Sequence, residues 1–209
     1  MTTDLATVLY GTRILPVLTV PSAASAPPLA EALAAGGARC AEVTFRTPEA
    51  ERALKAMTAH GGLTVGAGTV LTAEQAERAV AAGARFVVSP GFDAAVIARC
   101  RELAVPVVPG VATATELMRA LRAGLDTVKL FPAAPLGGTT ILKALAAPFP
   151  QVRFVPTGGI DPALLPDYLS HPAVLAVGGS WMATTSHLER RAYGEIRRLT
   201  AEAVERSTR

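Results

Sequence analysis

Short apolar runs and longer amphipathic segments alternate along the whole chain. The apolar runs are typical of strands buried on both faces, and they predict strands at residues 13–20, 40–45, 63–70, 85–90, 105–111, 127–133, 153–159 and 174–181. The segments between and after them have helical spacing, at 27–36, 48–60, 72–82, 93–104, 113–123, 138–147, 161–170 and 187–206. Residues 2–11 predict a further helix ahead of the first strand.

Eight strands alternating with eight helices predict a parallel α/β sheet, because each parallel crossover needs a returning segment such as a helix. A doubly wound open sheet would have a Gly-rich turn after its first strand, whereas Val20-Pro21-Ser22-Ala23 follows here. We therefore predict one domain over residues 1–209, folded as a single (βα)₈ TIM barrel. With 209 residues it is small for that fold, which typically has about 250.

Composition narrows the class of protein. Half of the residues are hydrophobic and 18% are charged, as in compact globular proteins. The net charge of +3 comes from scattered arginines without a basic block, so we expect no nucleic-acid partner. No apolar stretch reaches the roughly 18 residues of a membrane span, and we expect no membrane association. The two cysteines and three histidines show no metal-ligand spacing. Two cysteines make no disulfide framework and the N-terminus does not resemble a signal peptide, so we expect a reduced, cytoplasmic location.

Reactive groups in such barrels gather at the carboxyl ends of the strands. Side chains alternate across a strand, so Glu42 and Arg46 share one face of the second strand, while Val43 points to the opposite face. The same alternation turns Lys129 inward from the sixth strand. The pattern predicts a carboxylate, a guanidinium and an amine in one cavity.

Lysine is scarce in this chain, which makes the position of Lys129 informative. Lys55 and Lys143, the other two lysines, lie in predicted helices, whereas Lys129 lies inside an apolar strand, where an unpaired charge is costly. An amine can deprotonate and attack a carbonyl, which a guanidinium cannot do. A purely structural ion pair between Lys129 and Glu42 is the alternative that the residues alone leave open.

Six motifs, in order and with compatible spacing, cover nearly the whole chain. They are Glu42-Val43-Thr44-Phe45-Arg46-Thr47, Val65-Gly66-Ala67-Gly68-Thr69-Val70-Leu71, Ser89-Pro90-Gly91, Lys129-Leu130-Phe131-Pro132-Ala133, Phe154-Val155-Pro156-Thr157-Gly158-Gly159-Ile160 and Gly178-Gly179-Ser180-Trp181. Together they resemble the 2-keto-3-deoxy-6-phosphogluconate (KDPG) and 4-hydroxy-2-oxoglutarate (KHG) aldolases, which are class I enzymes. The resemblance implies a (βα)₈ barrel, usually a homotrimer, that needs no metal or other cofactor.

The resemblance also implies roles for individual residues. Lys129 would be the Schiff-base lysine and Glu42 the general acid/base, commonly acting through a water. The residues implied to bind or enclose the keto acid and its carboxylate are Arg46, Thr69, Pro90, Phe131 and Thr157. The chain departs from some family members at Thr19, where they have a basic residue, and from many at Ala134, where they have an acidic one.

Glycine pairs follow the last two strands, where phosphate usually binds in this fold. Gly158, Gly159, Gly178, Gly179 and Ser180 are therefore the predicted phosphate site, since glycine lets an anion approach backbone N–H groups. The alternative is that the glycines only form tight turns. Two pairs in adjacent loops favour phosphate binding.

The expected reaction is reversible cleavage of KDPG, a phosphorylated 2-keto acid, to pyruvate and D-glyceraldehyde 3-phosphate. Cleavage of 4-hydroxy-2-oxoglutarate to pyruvate and glyoxylate is a second expected reaction. The alternatives are an aldolase for the galactonate epimer, a phosphosugar isomerase or epimerase without Schiff-base chemistry, and a phosphosugar sensor without turnover.

Overall fold

The structure, a computed structural model, describes Leu9 and residues 11–208. Leu9 and residues 11–12 are helical, and the rest of the helix predicted at 2–11 lies outside the described residues. The strands are β1 Ile14–Leu18, β2 Cys40–Thr44, β3 Thr64–Gly68, β4 Val87–Val88, β5 Val107–Val108, β6 Gly110–Val111, β7 Thr127–Leu130, β8 Arg153–Pro156 and β9 Val177–Gly179.

Helices follow the strands as the periodicity predicts. They are α1 Ala26–Ala35, α2 Ala50–His60, α3 Ala73–Ala81, α4 Ala94–Glu102, α5 Ala114–Arg122, α6 Thr139–Ala146, α7 Leu165–Leu169, α8 Thr185–Glu189 and α9 Tyr193–Thr208, with a 3₁₀ turn at Ala23–Ser25 ahead of α1. None of the helices in the described part of the chain is long and apolar enough to cross a membrane.

All the strand pairings are parallel, which confirms the predicted α/β class. One sheet has the order β5-β4-β3-β2-β1-β9 and a second has the order β6-β7-β8. Around Pro109, β5 and β6 follow one another along the chain, and the bridges Phe154↔Val174 and Thr157↔Gly178 join the β8 and β9 segments. The two sheets therefore adjoin at both of their ends.

Two predicted elements are divided in the structure. The strand predicted at 105–111 is interrupted at Pro109, which has no backbone N–H to donate to a ladder, although its carbonyl accepts from Lys129 N at 2.9 Å. The helix predicted at 187–206 is divided between α8 and α9. Arg191 there has a left-handed φ of 52°, and Ala192 N bonds back to His187 O at 2.8 Å, which ends α8.

Apolar side chains fill two distinct spaces. Helices pack on the outward faces of the strands, for example α1 and α2 over Val43 through Leu29 and Leu54. A separate buried cluster joins β1, β2, β4, β5 and β8, and it contains Leu15, Cys40, Val88, Val108 and Val155. Because Cys40 shares its strand face with Glu42, this inner cluster forms an apolar layer on the same face as the site.

Candidate active site

Lys129 and Glu42 meet inside the molecule. The Lys129 Nζ lies 3.3 Å from Glu42 Oε1, and the two residues are 3% and 0% exposed. Neither strand is the other's neighbour, since β2 pairs with β1 and β3 while β7 pairs with β6 and β8. The contact therefore spans the interior between the two sheets.

Strand alternation explains why this lysine points inward. Val128 and Leu130, on either side of Lys129, are fully buried in the outer apolar cluster beneath the helices. On β2, Ala41 and Val43 pack outward in the same way. The intervening side chains must face the interior, where amine and carboxylate share one low-dielectric space.

The carboxylate of Glu42 has spare hydrogen-bonding capacity. Its Oε1 faces Lys129, while its buried Oε2 has no hydrogen-bond partner among the described residues. On the neighbouring strand β3, a Cβ at Gly68 would overlap this carboxylate, so glycine leaves the space that Glu42 occupies. A buried carboxylate oxygen without a partner is suited to accept a proton from a bound molecule or a water.

A cavity of about 280 Å³ opens beside Lys129. It is lined by the predicted residues Arg46, Lys129, Phe131, Thr157, Gly158, Gly159, Gly178, Gly179 and Ser180, and also by Val17, Thr19, Ile160, Ala183, Thr184 and Thr185. The lining thus includes the amine of Lys129, the guanidinium of Arg46, and the glycine pairs with Ser180.

The remaining predicted residues lie around this lining. Thr69 accepts a hydrogen bond from Arg46 Nε at 3.2 Å and so orients the guanidinium. It has a left-handed φ of 57°, which is unusual for a β-branched residue and adds local strain. Pro90 is outside the lining, but its backbone lies against Gly110, which is the register partner of Lys129.

One of the two glycine pairs that line the cavity has an unusual backbone conformation. Gly158 and Gly159 have φ values of +99° and +73°, a region that residues with a Cβ adopt only under strain. Their loop follows β8 as predicted. Gly178 and Gly179, by contrast, do not follow the last strand but are the final two residues of β9, where they pair with Leu15 and Pro16, and only Ser180 follows it. Thr157 Oγ lies so close to Gly178 that a side chain there would overlap it.

Thr184 and Thr185 were not among the predicted site residues. Thr184 caps α8, since its hydroxyl accepts from His187 N and its own N–H donates to His187 Nδ1. A Thr three residues ahead of a polar residue, just past Gly-Gly-Ser, is the sequence signal that indicates this helix start. Within the described residues, no group of three or more His, Cys, Asp or Glu side chains is arranged to hold a metal.

Comparison with known proteins decides the family. The model of the KDPG and KHG aldolase family matches residues 5–199. The 2-dehydro-3-deoxy-phosphogluconate aldolase of Treponema pallidum is 49% identical over 198 residues, which cover 94% of each chain. The chain belongs to the KDPG and KHG aldolase family. This confirms the family that the six motifs predicted.

Solved aldolase structures have closely similar folds. The KDPG aldolase of Zymomonas mobilis ZM4, solved with 3-phosphoglycerate, is 43% identical with a TM-score of 0.91, covering 97% of this chain and 96% of the other. The KDPG aldolase of Legionella pneumophila is 40% identical with a TM-score of 0.92, covering 96% and 98%. That enzyme was captured with pyruvate as a covalent carbinolamine intermediate.

Proposed function

We propose that this protein is a class I aldolase that cleaves KDPG to pyruvate and D-glyceraldehyde 3-phosphate through a Schiff base on Lys129. The observation that carries the proposal is the buried Nζ of Lys129, 3.3 Å from Glu42 and open to a cavity. Because the family also includes KHG aldolases, 4-hydroxy-2-oxoglutarate is the second proposed substrate.

The first step is formation of the covalent bond. Proton transfer from the Lys129 ammonium to the Glu42 carboxylate frees the nitrogen lone pair, which attacks the C2 carbonyl carbon of the substrate. The carbonyl oxygen takes the proton held by Glu42, and the nitrogen gives one of its own protons to the carboxylate, which leaves a neutral carbinolamine. Glu42 passes this proton to the hydroxyl, and loss of water leaves an iminium ion and the Glu42 carboxylate.

The second step breaks the carbon–carbon bond. Glu42, directly or through a water, removes the proton from the C4 hydroxyl, and the C4–O electrons form the aldehyde carbonyl. The electrons of the C3–C4 bond move to the iminium, which becomes a neutral enamine, and D-glyceraldehyde 3-phosphate leaves. Protonation of the enamine at C3 and hydrolysis of the iminium release pyruvate and restore the amine.

The other cavity residues bind the two ends of the substrate. Arg46, oriented by Thr69, provides the donors for the carboxylate, with Phe131 enclosing the keto acid and Thr157 contacting it. Pro90 shapes the pocket from behind Gly110. The phosphate lies against the Gly158-Gly159 loop and against Gly178, Gly179 and Ser180 at the end of β9. Backbone N–H groups in such loops bind anions because they carry partial positive charge.

The proposal extends to the whole assembly. The two sheets adjoin at β5/β6 and at β8/β9, which supports a closed (βα)₈ barrel formed by one domain. By analogy with the family, we also propose a cytoplasmic homotrimer that works without a metal or other cofactor.

Trapping with borohydride tests this function. Pyruvate and sodium borohydride should leave one reduced adduct, which peptide mass spectrometry places on Lys129. Lys129→Arg should fold, as judged by circular dichroism, but form no adduct and lose turnover. Lys55→Arg and Lys143→Arg, at exposed helical positions, serve as matched controls and should retain both. An adduct on another lysine, or substantial cleavage by Lys129→Arg, would contradict the mechanism.

Cleavage rates separate the possible substrates. Rates should be compared for KDPG, 4-hydroxy-2-oxoglutarate and the galactonate epimer of KDPG. A protein that isomerises phosphosugars, or only binds them, would form no pyruvate adduct and release no pyruvate. KDPG should be cleaved with the largest kcat/KM.

A further inference from the structure

Thr19 is a polar residue of the cavity to which the proposed mechanism gives no role. It follows β1, and together with Val17 it lines the cavity, whereas Leu18 and Val20 pack outward beneath the helices. Because β1 lies between β2 and β9, Thr19 is placed between the strand that carries Glu42 and the strand that ends in Gly178-Gly179. It therefore lies between the strand of the proposed proton-transfer residue and the strand of part of the proposed phosphate site.

A hydrogen-bond chain, buried at Thr44 and partly buried at Thr19, fixes the direction of the Thr19 hydroxyl. Thr44 Oγ1 lies 2.8 Å from the carbonyl oxygen of Leu18 and 3.2 Å from Thr19 Oγ1. A carbonyl only accepts, so the single hydroxyl proton of Thr44 is directed to Leu18. The contact between the two hydroxyls then requires Thr19 to be the donor and Thr44 the acceptor.

Thr19 therefore presents only lone pairs to the cavity. With its proton committed to Thr44, it accepts a hydrogen bond from a bound molecule but cannot donate one. A phosphate or carboxylate oxygen would meet it with like partial charge. The ligand group that matches Thr19 must itself carry a proton.

Resting on the proposed function, we infer that Thr19 is a specificity residue that accepts a hydrogen bond from the C5 hydroxyl of the substrate. Two oxygens lie between the keto group and the phosphate of KDPG, on C4 and on C5. The C4 oxygen loses its proton during cleavage and becomes a carbonyl, which an acceptor would repel. The C5 hydroxyl keeps its proton in both the substrate and the released aldehyde.

This assignment predicts discrimination between acceptor aldehydes. In the synthetic direction the C5 hydroxyl is the hydroxyl at C2 of D-glyceraldehyde 3-phosphate. The same group is absent from 3-oxopropyl phosphate, which otherwise has the same chain and phosphate. Since the hydrogen bond forms in both the ground and transition states, its loss should raise KM more than it lowers kcat.

The test measures kcat/KM for pyruvate addition to each of these two aldehydes. The wild-type protein should favour the hydroxylated aldehyde, and Thr19→Val should lower the ratio of the two kcat/KM values about fivefold, as expected for one neutral hydrogen bond. Thr19→Ser, which keeps a hydroxyl, should restore the ratio. An unchanged ratio in a folded Thr19→Val protein would overturn the inference.

A wild-type experiment covers the case in which Thr19→Val fails to fold. Equal kcat/KM values for the two aldehydes in the wild-type protein would overturn the inference without any variant. Borohydride trapping of pyruvate on wild-type Lys129 distinguishes the two levels of failure. If trapping succeeds while discrimination is absent, only the role of Thr19 is wrong; if trapping fails, the proposed function itself is wrong.

Discussion

At the scale of single residues, Lys129 and Glu42 depend on each other. Both are almost completely buried, and removing one partner of a buried ion pair typically costs 3–5 kcal/mol because the other is left unpaired. Two apolar side chains could fill the same interior space without the cost of removing two charges from water. The pair is therefore better explained by proton transfer and nucleophilic attack than by stability.

Glu42→Gln separates proton transfer from binding. Glutamine has nearly the same shape but cannot take up a proton, so kcat for KDPG cleavage should fall by about 10²–10⁴-fold. A coupled assay for released pyruvate measures this change. Glu31→Gln, at an exposed position in α1, is the control and should remain within about twofold of the wild type, as expected for a surface substitution. A Glu42→Gln protein with near-normal kcat would assign proton transfer to another group.

The two cysteine thiols should be inert in the folded protein. Burial, with a smaller contribution from the Glu42 charge, raises the pKa of Cys40 to about 12, and burial raises the pKa of Cys100 to about 11. Iodoacetamide at about pH 8 reacts with the thiolate, so neither residue should be alkylated until the protein is unfolded in guanidinium. Mass spectrometry should then show two modified cysteines. Rapid alkylation of native Cys40 would show that the interior layer below Glu42 is open to solvent.

The same pKa shifts give a direction for stability. The folded state holds the thiol protons more tightly than the unfolded chain, whose thiols have a pKa near 9.0. The contribution of the thiols to stability is therefore complete below about pH 9 and is lost as the pH rises toward 12. Their titration destabilises the fold only in alkali.

At the scale of elements, the site depends on how closely β3 approaches β2. Gly68 pairs with Thr44, and a Cβ on it would overlap the Glu42 side chain. Gly68→Ala should displace the Glu42 carboxylate and lower kcat. The loss of stability should be smaller than the loss of activity, because the added Cβ overlaps a side chain and not the backbone. Steady-state kinetics and thermal unfolding measure the two effects.

Gly194→Ala is the matched control for Gly68→Ala. Gly194 lies in α9, a Cβ there would meet nothing within 4 Å, and its φ is compatible with alanine. Alanine in a helix is favoured over glycine by roughly 0.5–1 kcal/mol, so this variant should be slightly more stable and fully active. A Gly68→Ala protein with wild-type kcat would show that Glu42 tolerates displacement.

Hydrophobic periodicity located the described strands and helices but not all of their limits. Alternation along a strand and helical spacing can be read from the residue types alone, so β2 and β7 and their inward-facing side chains were predicted from the sequence. The division at Pro109 depends on which backbone N–H groups the ladder uses, and the break at Arg191 on a single left-handed residue. Neither the division at Pro109 nor the break at Arg191 can be read from the spacing of hydrophobic residues.

In the molecule as a whole, the sequence predicted which residues meet in one cavity but not the distances between them. Parallel strands end on the same side, so residues as distant in sequence as Arg46 and Ser180 were predicted to share one cavity, which both line. The position of Pro90 behind Gly110 and the donor order between Thr19 and Thr44 depend on distances of a few ångströms. Only packing of the complete fold determines them.

Neighbouring strands are not joined with equal strength around the molecule. Five consecutive residues of β2 pair with β3, whereas isolated bridges and a few hydrogen bonds connect the β8 and β9 segments. The latter include Leu175 N to Phe154 O at 2.9 Å. Native-state hydrogen exchange should therefore show β2 amides opening only with global unfolding, while the Leu175 amide exchanges through a smaller, local opening.

Ligand should strengthen this weaker junction, because Thr157 and Gly178 bridge it and also line the cavity. Reduction of the pyruvate adduct on Lys129 should consequently slow exchange at Leu175 more than at Val43, which already requires global unfolding. Equal slowing at both positions would mean that the junction opens only with the whole fold. In that case the two sheets unfold as one cooperative unit, and substrate access must depend on the loops alone.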